Sequence, residues 1–553
     1  MGKYDHLSRN ELQRLLEARD RRDATRFGLV WEASEIERDR ALNSDFVALD
    51  LDPELSVSGE PWNNLIIEGD NFDALRHLRM TYAGQVKCIY IDPPYNTGNR
   101  DFVYNDRFVD ANDAWRHSTW VEFMWQRLTL AKDLLRQDGV IFVSIDDNEV
   151  ASLRLLMNRV FGENNFVASC IWQKRYASSN DHKTIAPMHE YVLVYQMSDL
   201  WRRNLLPRTA DKDDMYRFND EKGIFRCSDY TCPKSAEERP NLYYPIIQPK
   251  TGKRIWPKKT RVWAYSEEEH FRNADNGLIY WGKDGNGKTP SFKRYKHMLR
   301  NADGVVPTTW WTFDDVGHND TAKKEILTIL AEDARSFSTP KPVALIERIL
   351  RIATVSGDLV LDFFAGSGTT AHAVLKLNAE NQGQRRFILV SNTESTVSEP
   401  DKNLCRDVCA RRVRRVIEGY GDTPGLGGNF AYLRCRRIKS GRLVNIEHAQ
   451  VWHSLQFMHH NQLSPYAADG GLAWAQIGGV ALVYVPRFTT RILPALRKVL
   501  KNCDSALIYS WQTALLCCHI RTRKAAHEPI PESLARKFGL TGTVDLPRKK
   551  TQT

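Results

Sequence analysis

Apolar runs alternate with amphipathic helical stretches in two separate parts of the chain. In the first part, from Asn64 onward, the runs NLIIEGD, VKCIYID and GVIFVSID are separated by NFDALRHL and by the long stretch WVEFMWQRLTLAKDLLRQDG, a helix that we expect Gly139 to close. In the second part, from Thr339 onward, the runs DLVLDFF and RRFILVSN alternate with three helical stretches. This alternation predicts an α/β fold: a doubly wound, mostly parallel, Rossmann-like sheet covered by helices on both faces.

The remaining segments have a different composition, and they suggest how the domains are arranged. Residues 1–55 are rich in Arg, Glu and Leu and predict an N-terminal helical extension, either a docking arm or a solvated helix. Residues 166–330 are rich in aromatic, basic, Pro and Gly residues, which predicts an inserted domain. Residues 440–553 contain VALVYVP, TRILPALRKVL and SALIYSW and predict a small α/β unit. The main domain then consists of two halves, 56–165 and 331–425.

Composition narrows the class of protein. A chain of 553 residues is too long for one hydrophobic core, and its 42% hydrophobic and 26% charged residues are ordinary for a globular protein. No apolar run approaches the eighteen residues of a membrane span, and the first residues are charged where a signal peptide is apolar. We therefore expect a cytoplasmic protein. The net charge of +10 favours a polyanionic partner.

The ten cysteines are too few for a disulfide scaffold in a chain of this length. Cys227 with Cys232, and Cys405 with Cys409, are the closest pairs along the sequence, but neither pair has the CxxC spacing of a zinc site. We expect buried, reduced thiols and no metal.

A glycine loop follows the first apolar run of the second part. In LVLDFFAGSGTT, Gly366 and Gly368 lie between a predicted strand and a predicted helix, where a backbone without Cβ atoms can pass close to a ligand. A tight strand-to-helix turn would explain the glycines equally well. Glu394, after the next predicted strand, lies where a carboxylate could accept hydrogen bonds from ribose hydroxyls, although a solvated loop residue is the alternative.

The segment YIDPPYNTG contains the most specific chemistry in the sequence. A predicted strand delivers Asp92 to its carboxyl end, and Pro93 and Pro94 then keep the backbone extended and remove two donors. The Asp92 carboxylate and the Pro93 carbonyl can accept both hydrogens of an amine on a planar base, while Tyr95 stacks on the ring. Holding both hydrogens localises the nitrogen lone pair and makes the nitrogen nucleophilic. This chemistry needs neither a catalytic cysteine nor a metal.

These two motifs together resemble the amino-methyltransferases of bacterial restriction-modification systems. Their order, with the target-amine motif before the glycine motif, resembles the β group. Four sequence segments closely resemble the modification subunits of type III systems: EGDNFDAL, IDPPYNTGNRDFVYND, STPKPVALIERIL and LDFFAGSGTTAHAVLKLN. The resemblance is strong over about residues 60–200 and 335–430.

The resemblance implies a DNA methyltransferase that transfers a methyl group from S-adenosylmethionine to adenine N6. The implied site residues fall into two groups. Asp92, Pro93, Pro94 and Tyr95 would hold and activate the flipped adenine. The cofactor would be bound by the loop of Phe363, Ala365, Gly366 and Gly368, by Thr339 and Lys341 of a closing segment, by Glu394 at the ribose and by Asp70 near the cofactor adenine.

A base inside a duplex must leave the stack to reach such a site, so the resemblance also implies DNA contacts. Phe102 or Tyr104 would line the second face of the pocket, with core packing as the alternative. Residues 166–330 would be the target-recognition domain, with candidate DNA contacts at Trp172, Lys174, Arg175, Lys253, Arg254, Lys258, Lys259 and Arg261. The expected partners are double-stranded DNA, a restriction subunit with helicase and endonuclease activity, and a second copy of the chain.

Three alternatives remain open from the sequence. Cytosine-N4 methylation uses an amine with the same donor geometry. A DNA-binding specificity subunit that keeps the methyltransferase fold without its activity is a second alternative. An RNA or protein amine is a third and weaker one.

Overall fold

The computed structural model describes residues 46–98, 103–104, 107–108, 116–177, 184–208, 213–298, 304–331, 339–395, 399–438, 447–460 and 462–530. The chain divides into two compact units. The first unit comprises residues 1–83, 96–133 and 429–553, and the second comprises residues 84–95 and 134–428.

Strands and α-helices alternate in the two parts of the chain that carry the parallel strands, and strands predominate between residues 166 and 311. The strands are β1 (Phe46–Val57), β2 (Leu65–Glu68), β3 (Val86–Ile91), β4 (Val103–Tyr104), β5 (Arg107–Phe108), β6 (Leu135–Ile145), β7 (Phe166–Gln173), β8 (His189–Gln196), β9 (Phe218–Asp220), β10 (Gly223–Asp229), β11 (Ile246–Ile247), β12 (Arg254–Ile255), β13 (Ile279–Tyr280), β14 (Ser291–Tyr295), β15 (Trp310–Trp311), β16 (Leu359–Asp362), β17 (Arg386–Ser391), β18 (Gly419–Tyr420), β19 (Thr423–Pro424), β20 (Phe430–Ile438), β21 (Ala473–Ile477), β22 (Val480–Val485), β23 (Ser505–Ser510) and β24 (Ala525–Pro529). The α-helices are α1 (Asn71–Thr81), α2 (Arg116–Leu134), α3 (Val150–Phe161), α4 (Glu267–Asp275), α5 (Phe313–Val316), α6 (Asn319–Leu330), α7 (Val343–Ala353), α8 (Thr369–Asn381), α9 (Arg411–Glu418), α10 (His448–His459), α11 (Leu493–Lys501) and α12 (Thr513–His519).

The sheet of the second unit has the strand order β17-β16-β3-β6-β8-β7-β15. From β17 to β6 all neighbours are parallel, and the register pairs Leu361 of β16 with Ile89 of β3 and Ile89 with Ile141 of β6. Strand β8 then runs antiparallel to both β6 and β7. Parallel strands place their carboxyl ends at one edge of the sheet, so the segments after β3 and β16 emerge side by side.

Burial explains why these strands are continuous apolar runs in the sequence. Ile89, Ile91, Val360 and Leu361 have no exposed surface, because helices cover both faces of a parallel sheet. Helix α7 buries eight of its eleven residues, which matches its strongly apolar sequence VALIERILRIA. The predicted strands and helices on either side of the glycine loop are thus confirmed.

A smaller antiparallel sheet, in the order β13-β14-β10-β9, lies in the same unit between residues 218 and 295. Its core is aromatic and is formed by Tyr230, Tyr244, Ile246, Trp263 and Trp281. The abundance of aromatic residues in this part of the sequence therefore serves largely to build a core.

The first unit contains the strands β1, β2 and β20, the strand pair β4–β5 and a four-stranded sheet. Strand β20 pairs antiparallel with β1 and parallel with β2. The segment from 473 to 530 forms the sheet β21-β22-β23-β24, in which the last three strands are parallel. Among the described residues, no helix has the length and apolar composition that crossing a membrane requires.

Three expectations from the sequence were wrong in detail. Residues 46–55 lie in β1 rather than in a helical extension, because FVALDLD pairs along β20 and buries Val47, Ala48 and Leu49. Gly139 does not close α2, which ends at Leu134; the glycine lies inside β6. The boundary placed at residue 166 cuts the main sheet, since β7 and β8 are strands of that sheet.

Shortening a core side chain of the parallel sheet should destabilise the second unit. We expect Leu361→Ala to cost about 2–5 kcal/mol, because it leaves a cavity between buried strands. Thermal unfolding followed by circular dichroism measures the effect. The control is Leu327→Ala on the exposed side of α6, which should change stability by about 0.5 kcal/mol or less. Equal shifts in the two variants would contradict this packing.

Candidate active site

Asp92 lies directly after β3, at the carboxyl edge of the parallel sheet, and its carboxylate is held by a lysine from a distant part of the chain. The Lys341 ammonium donates to both Asp92 oxygens, at 2.8 Å to Oδ1 and 2.7 Å to Oδ2. Lys341 is two residues before α7, so the end of a strand and the start of a helix supply the two partners. The side chains remain 24% and 9% exposed, which leaves the carboxylate the more accessible of the two.

A second ion pair adjoins the first. Glu190 is the second residue of β8, and its Oε2 lies 3.6 Å from the Lys341 ammonium. Its Oε1 accepts a hydrogen bond at 3.1 Å from the ammonium of Lys174, the residue after β7. The Tyr95 hydroxyl donates to Glu190 Oε2 at 2.9 Å. Two carboxylates, two ammonium groups and one phenol therefore form a single chain of contacts, and Glu190 is only 8% exposed.

These contacts fix the orientation of the Tyr95 ring. Its hydroxyl is tied to Glu190, and the Lys341 nitrogen lies 4.9 Å from the ring centroid. The same nitrogen lies 5.8 Å from the ring centroid of Trp172, so the cation is close to two aromatic rings. A planar ligand stacking on Tyr95 would meet a ring that is already positioned.

The electrostatic environment shifts the pKa values of the three charged groups in different directions. Burial raises the pKa of Asp92 above its ordinary value, against the opposing effect of Lys341. Burial also acts to raise the pKa of Glu190, but Lys341 and Lys174 outweigh it and this pKa is lowered. Burial acts to lower the pKa of Lys341, yet the two carboxylates outweigh it and raise this pKa. Lys341 is therefore a permanent cation at neutral pH, and Asp92 is the more readily protonated carboxylate.

The glycine loop follows β16, the neighbour of β3. Gly366 and Gly368 have φ angles of 48° and 77°, the left-handed region that glycine adopts without strain. Asp362, the last residue of β16, accepts from the Phe364 amide at 3.0 Å and from the Thr370 hydroxyl, which fixes the first turn of the loop. Burial, with a smaller effect of Asp92, raises the pKa of Asp362 to about 7.

Thr369 links the glycine loop to the segment 339–341, in which Lys341 binds Asp92. Its hydroxyl lies 3.3 Å from the Lys341 carbonyl oxygen, and Phe363 and Ala365 are buried beside it in the loop. Thr339 is exposed at the start of this segment. The Asp-Pro-Pro-Tyr motif and the glycine loop thus meet at one edge of the sheet, bridged by Lys341.

Of four other predicted site residues, two, Glu394 and Asp70, have described side-chain contacts, and these are with residues outside the Asp92 cluster. Glu394 follows β17, remains about half exposed and pairs with Lys402 at 3.2 Å. Asp70, in the first unit, caps α1 by accepting from the Phe72 amide at 2.8 Å and pairs with Arg127 at 3.2 Å. Phe102 lies outside the described residues, and the backbone of Tyr104 belongs to β4. The roles assigned to these residues stay predictions.

The candidate DNA contacts divide into residues engaged by other groups of the protein and exposed residues. Trp172 was wrongly expected to contact DNA, because it is fully buried in β7 and its indole donates to the Gly317 carbonyl at 3.0 Å. The Lys174 ammonium donates to Glu190 and belongs to the charged cluster around Lys341. Arg261 pairs with Asp229 at 2.7 Å. The remaining candidates are exposed: Arg175, Lys253, Arg254, Lys258 and Lys259.

Sequence reasoning missed Glu190 and Asp362. A glutamate inside the otherwise apolar strand HEYVLVYQ was a visible signal, because a carboxylate in such a strand needs a cationic partner. Asp362 ends an apolar strand just as Asp92 follows one, which was a second signal. The partners themselves lie on segments far apart in sequence and leave no local pattern.

Comparison with known proteins decides the family. Residues 86–397, more than half of the chain, match the family described as DNA methylase. The chain belongs to this family. The matched residues of this DNA methylase include Asp92, Glu190, Lys341 and the whole glycine loop.

Curated relatives of this DNA methylase include subunits of restriction-modification enzymes. It is 36% identical over 386 residues to the StyLTI Mod subunit of Salmonella typhimurium, a type III enzyme, covering 64% of this chain and 57% of that protein. It is 32% identical over 411 residues to the EcoP15I Mod subunit of Escherichia coli, covering 61% of this chain and 60% of that protein. The chain thus spans less than two thirds of the length of these relatives. The solved cytosine-N4 methyltransferase PvuII is 13% identical, with 65% of this chain and 96% of that chain covered and a TM-score of 0.32.

Lys341 and Glu190 are the two charged neighbours of Asp92. Replacing the one or the other should shift the pKa of the Asp92 carboxyl in opposite directions. Lys341→Met removes the cation that lowers the pKa of Asp92, so we expect a higher pKa. Glu190→Gln removes an anion that raises it, so we expect a lower pKa. Difference infrared titration of the carboxyl signal, assigned by its loss in Asp92→Asn, measures both shifts. Shifts of the same sign would contradict the charge arrangement.

Proposed function

We propose that this DNA methylase transfers a methyl group from S-adenosylmethionine to the N6 amine of adenine in double-stranded DNA. One observation carries the proposal: Asp92 after β3 and the glycine loop after β16 meet at one sheet edge, linked through Lys341 and Thr369. A site that activates an amine next to a site for a methyl donor is what this transfer requires.

Activation of the amine follows from the groups around Asp92. The Asp92 carboxylate and the Pro93 carbonyl accept the two amine hydrogens while the Tyr95 ring stacks on the base. Both acceptors face the nitrogen as it becomes tetrahedral, so they stabilise the transition state more than the planar ground state. Tyr95 needs no rearrangement, because Glu190 already holds its hydroxyl.

Lys341 has to yield one of its two hydrogen bonds to Asp92 when the amine binds. Its second acceptor, Glu190, is already 3.6 Å away, so the ammonium can move toward it and stay paired. The methylated nitrogen then loses one proton. Asp92 is suited to accept it, because burial raises the pKa of this carboxyl.

The residues around the glycine loop fit a cationic methyl donor. Asp362 at the start of the loop and Asp92 near it are carboxyl groups that can compensate the positive charge of the sulfonium. The left-handed glycines allow the backbone to approach the ligand closely, and Gly368 opens helix α8. When bound, S-adenosylmethionine supplies an electrophilic methyl group on a sulfonium and leaves as the neutral thioether.

The target base must leave the duplex to reach Asp92, so we propose a DNA-binding surface on the second unit. Lys253, Arg254, Lys258 and Lys259 are exposed near β12, and they supply phosphate contacts that set affinity and register. Relatives named as Mod subunits suggest that the protein modifies DNA within a type III system. A restriction subunit and a second copy of the chain are the further proposed partners.

Replacing the central carboxylate should abolish transfer and spare cofactor binding. We expect Asp92→Asn to lower the rate of tritiated methyl transfer to duplex DNA by about 10²–10⁴-fold, because an amide cannot accept the amine proton. The dissociation constant for S-adenosylmethionine, measured by calorimetry, should change by less than about threefold. Glu268→Gln, an exposed carboxylate on α4, is the control and should keep full activity. Full activity in Asp92→Asn would refute the assigned role.

The methylated nucleoside identifies the target base. We expect N6-methyladenine in DNA treated with the purified protein, measured by mass spectrometry of the hydrolysed nucleosides. N4-methylcytosine would support the cytosine alternative. Binding of DNA with no methylated product and no binding of S-adenosylmethionine would favour a specificity subunit without catalytic activity.

Removing the basic surface should weaken DNA binding and reduce its dependence on salt. For Lys253→Ala/Arg254→Ala/Lys258→Ala/Lys259→Ala, we expect the slope of log affinity against log salt to fall by about 0.9 for each DNA phosphate that the variant no longer neutralises. Fluorescence anisotropy with a labelled duplex measures the slope. The charge-matched control removes four exposed cations of the first unit, Arg491, Arg497, Lys498 and Lys501. A larger decrease of the slope in the control variant would indicate that the DNA-binding surface lies on the first unit instead.

A further inference from the structure

A buried arginine lies behind the glycine loop. Arg412, at the start of α9, has no exposed surface. Its Nη1 donates to Ser367 Oγ at 3.0 Å and to Thr369 Oγ1 at 2.7 Å. Within the described part of the chain, its Nε and Nη2 atoms have no hydrogen-bond partner.

The charge on this side chain is poorly compensated by the protein. Among the described residues, no carboxylate comes within ion-pair distance of Arg412. Burial lowers the pKa of Arg412 to about 10, and Glu325 only partly offsets this effect, so the guanidinium stays protonated at neutral pH. Glu325 is itself engaged by the Val343 amide at 3.1 Å. A buried cation without a direct counter-charge is costly unless a ligand supplies one.

A second positive charge lies at the same place. Ser367 and Thr369 flank Gly368, which is the N-cap of the thirteen-residue helix α8, and the N-terminus of a helix carries a partial positive charge. Buried His372 in the first turns of α8 adds none, because burial, with Arg412 and Lys376, lowers its pKa to about 3. Two like charges at one helix end repel each other, so the arrangement favours a bound anion.

The backbone that carries Arg412 is irregular and packs directly on the loop. A π-helix at Cys405–Ala410 runs into α9 just before Arg412, and such single-turn π-helices occur frequently at functional sites. A Cβ on Gly368 would lie 3.2 Å from both the carbonyl oxygen and the Sγ of Cys409. This close packing brings the guanidinium up to the loop from behind.

We propose that Arg412 is the positioning residue for an anionic group bound at the N-terminus of α8, and that this group is the methionine carboxylate of S-adenosylmethionine. The inference rests on the proposed function. Arg412 acts through two hydroxyls. Thr369 donates to the Lys341 carbonyl at 3.3 Å, and the Ser367 hydroxyl, which lies 3.3 Å from Thr369 Oγ1, turns its hydrogen from that contact to the ligand. The Arg412 guanidinium orients the hydroxyls of Ser367 and Thr369 and adds its positive charge next to them.

The test compares two ligands that differ only in this carboxylate. Calorimetry gives the dissociation constants of S-adenosylmethionine and decarboxylated S-adenosylmethionine for the wild type, Arg412→Met and Arg412→Lys. We expect Arg412→Met to weaken binding of the complete cofactor by about tenfold to hundredfold, the range for a charge-assisted contact, and to change binding of the decarboxylated form by less than about threefold. Arg412→Lys should restore part of the difference.

Ser367→Ala is a second variant that keeps the buried arginine. It therefore tests the inference even if the Arg412 variants misfold. It should weaken binding of the complete cofactor alone, by less than Arg412→Met does. Equal loss of both ligands in folded Arg412→Met, judged by circular dichroism, would overturn the inference and leave the proposed function standing. Failure of the wild-type protein to bind either ligand would overturn both.

Discussion

The ammonium of Lys341, shared between Asp92 and Glu190, is the interaction on which the proposed chemistry depends. It joins the end of β3, the start of β8 and the segment before α7, which are otherwise separate parts of the sheet edge. Without this cation, two carboxylates would lie close together in a largely buried place and would repel each other. The pairing therefore opposes the effect of burial on the pKa of Asp92 and orients this carboxylate before any substrate binds.

Lys341 also connects the Asp-Pro-Pro-Tyr motif to the glycine loop. The side-chain nitrogen of Lys341 contacts Asp92, while its main-chain oxygen is bound by Thr369 of the glycine loop. Thr369 is in turn bound by the buried Arg412. The glycine loop and the Asp92 carboxylate therefore both contact one residue, Lys341.

Burial gives each acidic group of the site a different character. Glu190 is enclosed but has two ammonium partners, so its pKa is lowered and it serves as a fixed anion. Asp92 and Asp362 have fewer compensating partners, and their pKa values are raised. Residues of one chemical type thus divide into a carboxylate whose pKa is lowered and two carboxyls whose pKa values are raised, because of their surroundings.

The sequence by itself determined the fold class, the order of the two motifs and the placement of Asp92 and Gly366 at the ends of apolar strands, because these are local patterns of strand, turn and helix. It also predicted Lys341 as a site residue, through resemblance. Only the tertiary structure decided that Lys341 binds Asp92, that Glu190 and Lys174 belong to the same cluster, and that Trp172 is core. It also revealed Arg412 behind the loop, one of several arginines in CRDVCARRVRRVIE that the sequence could not tell apart. The physical reason is that ion pairs and burial join residues far apart along the chain, and no local periodicity records which distant partner a charge will meet.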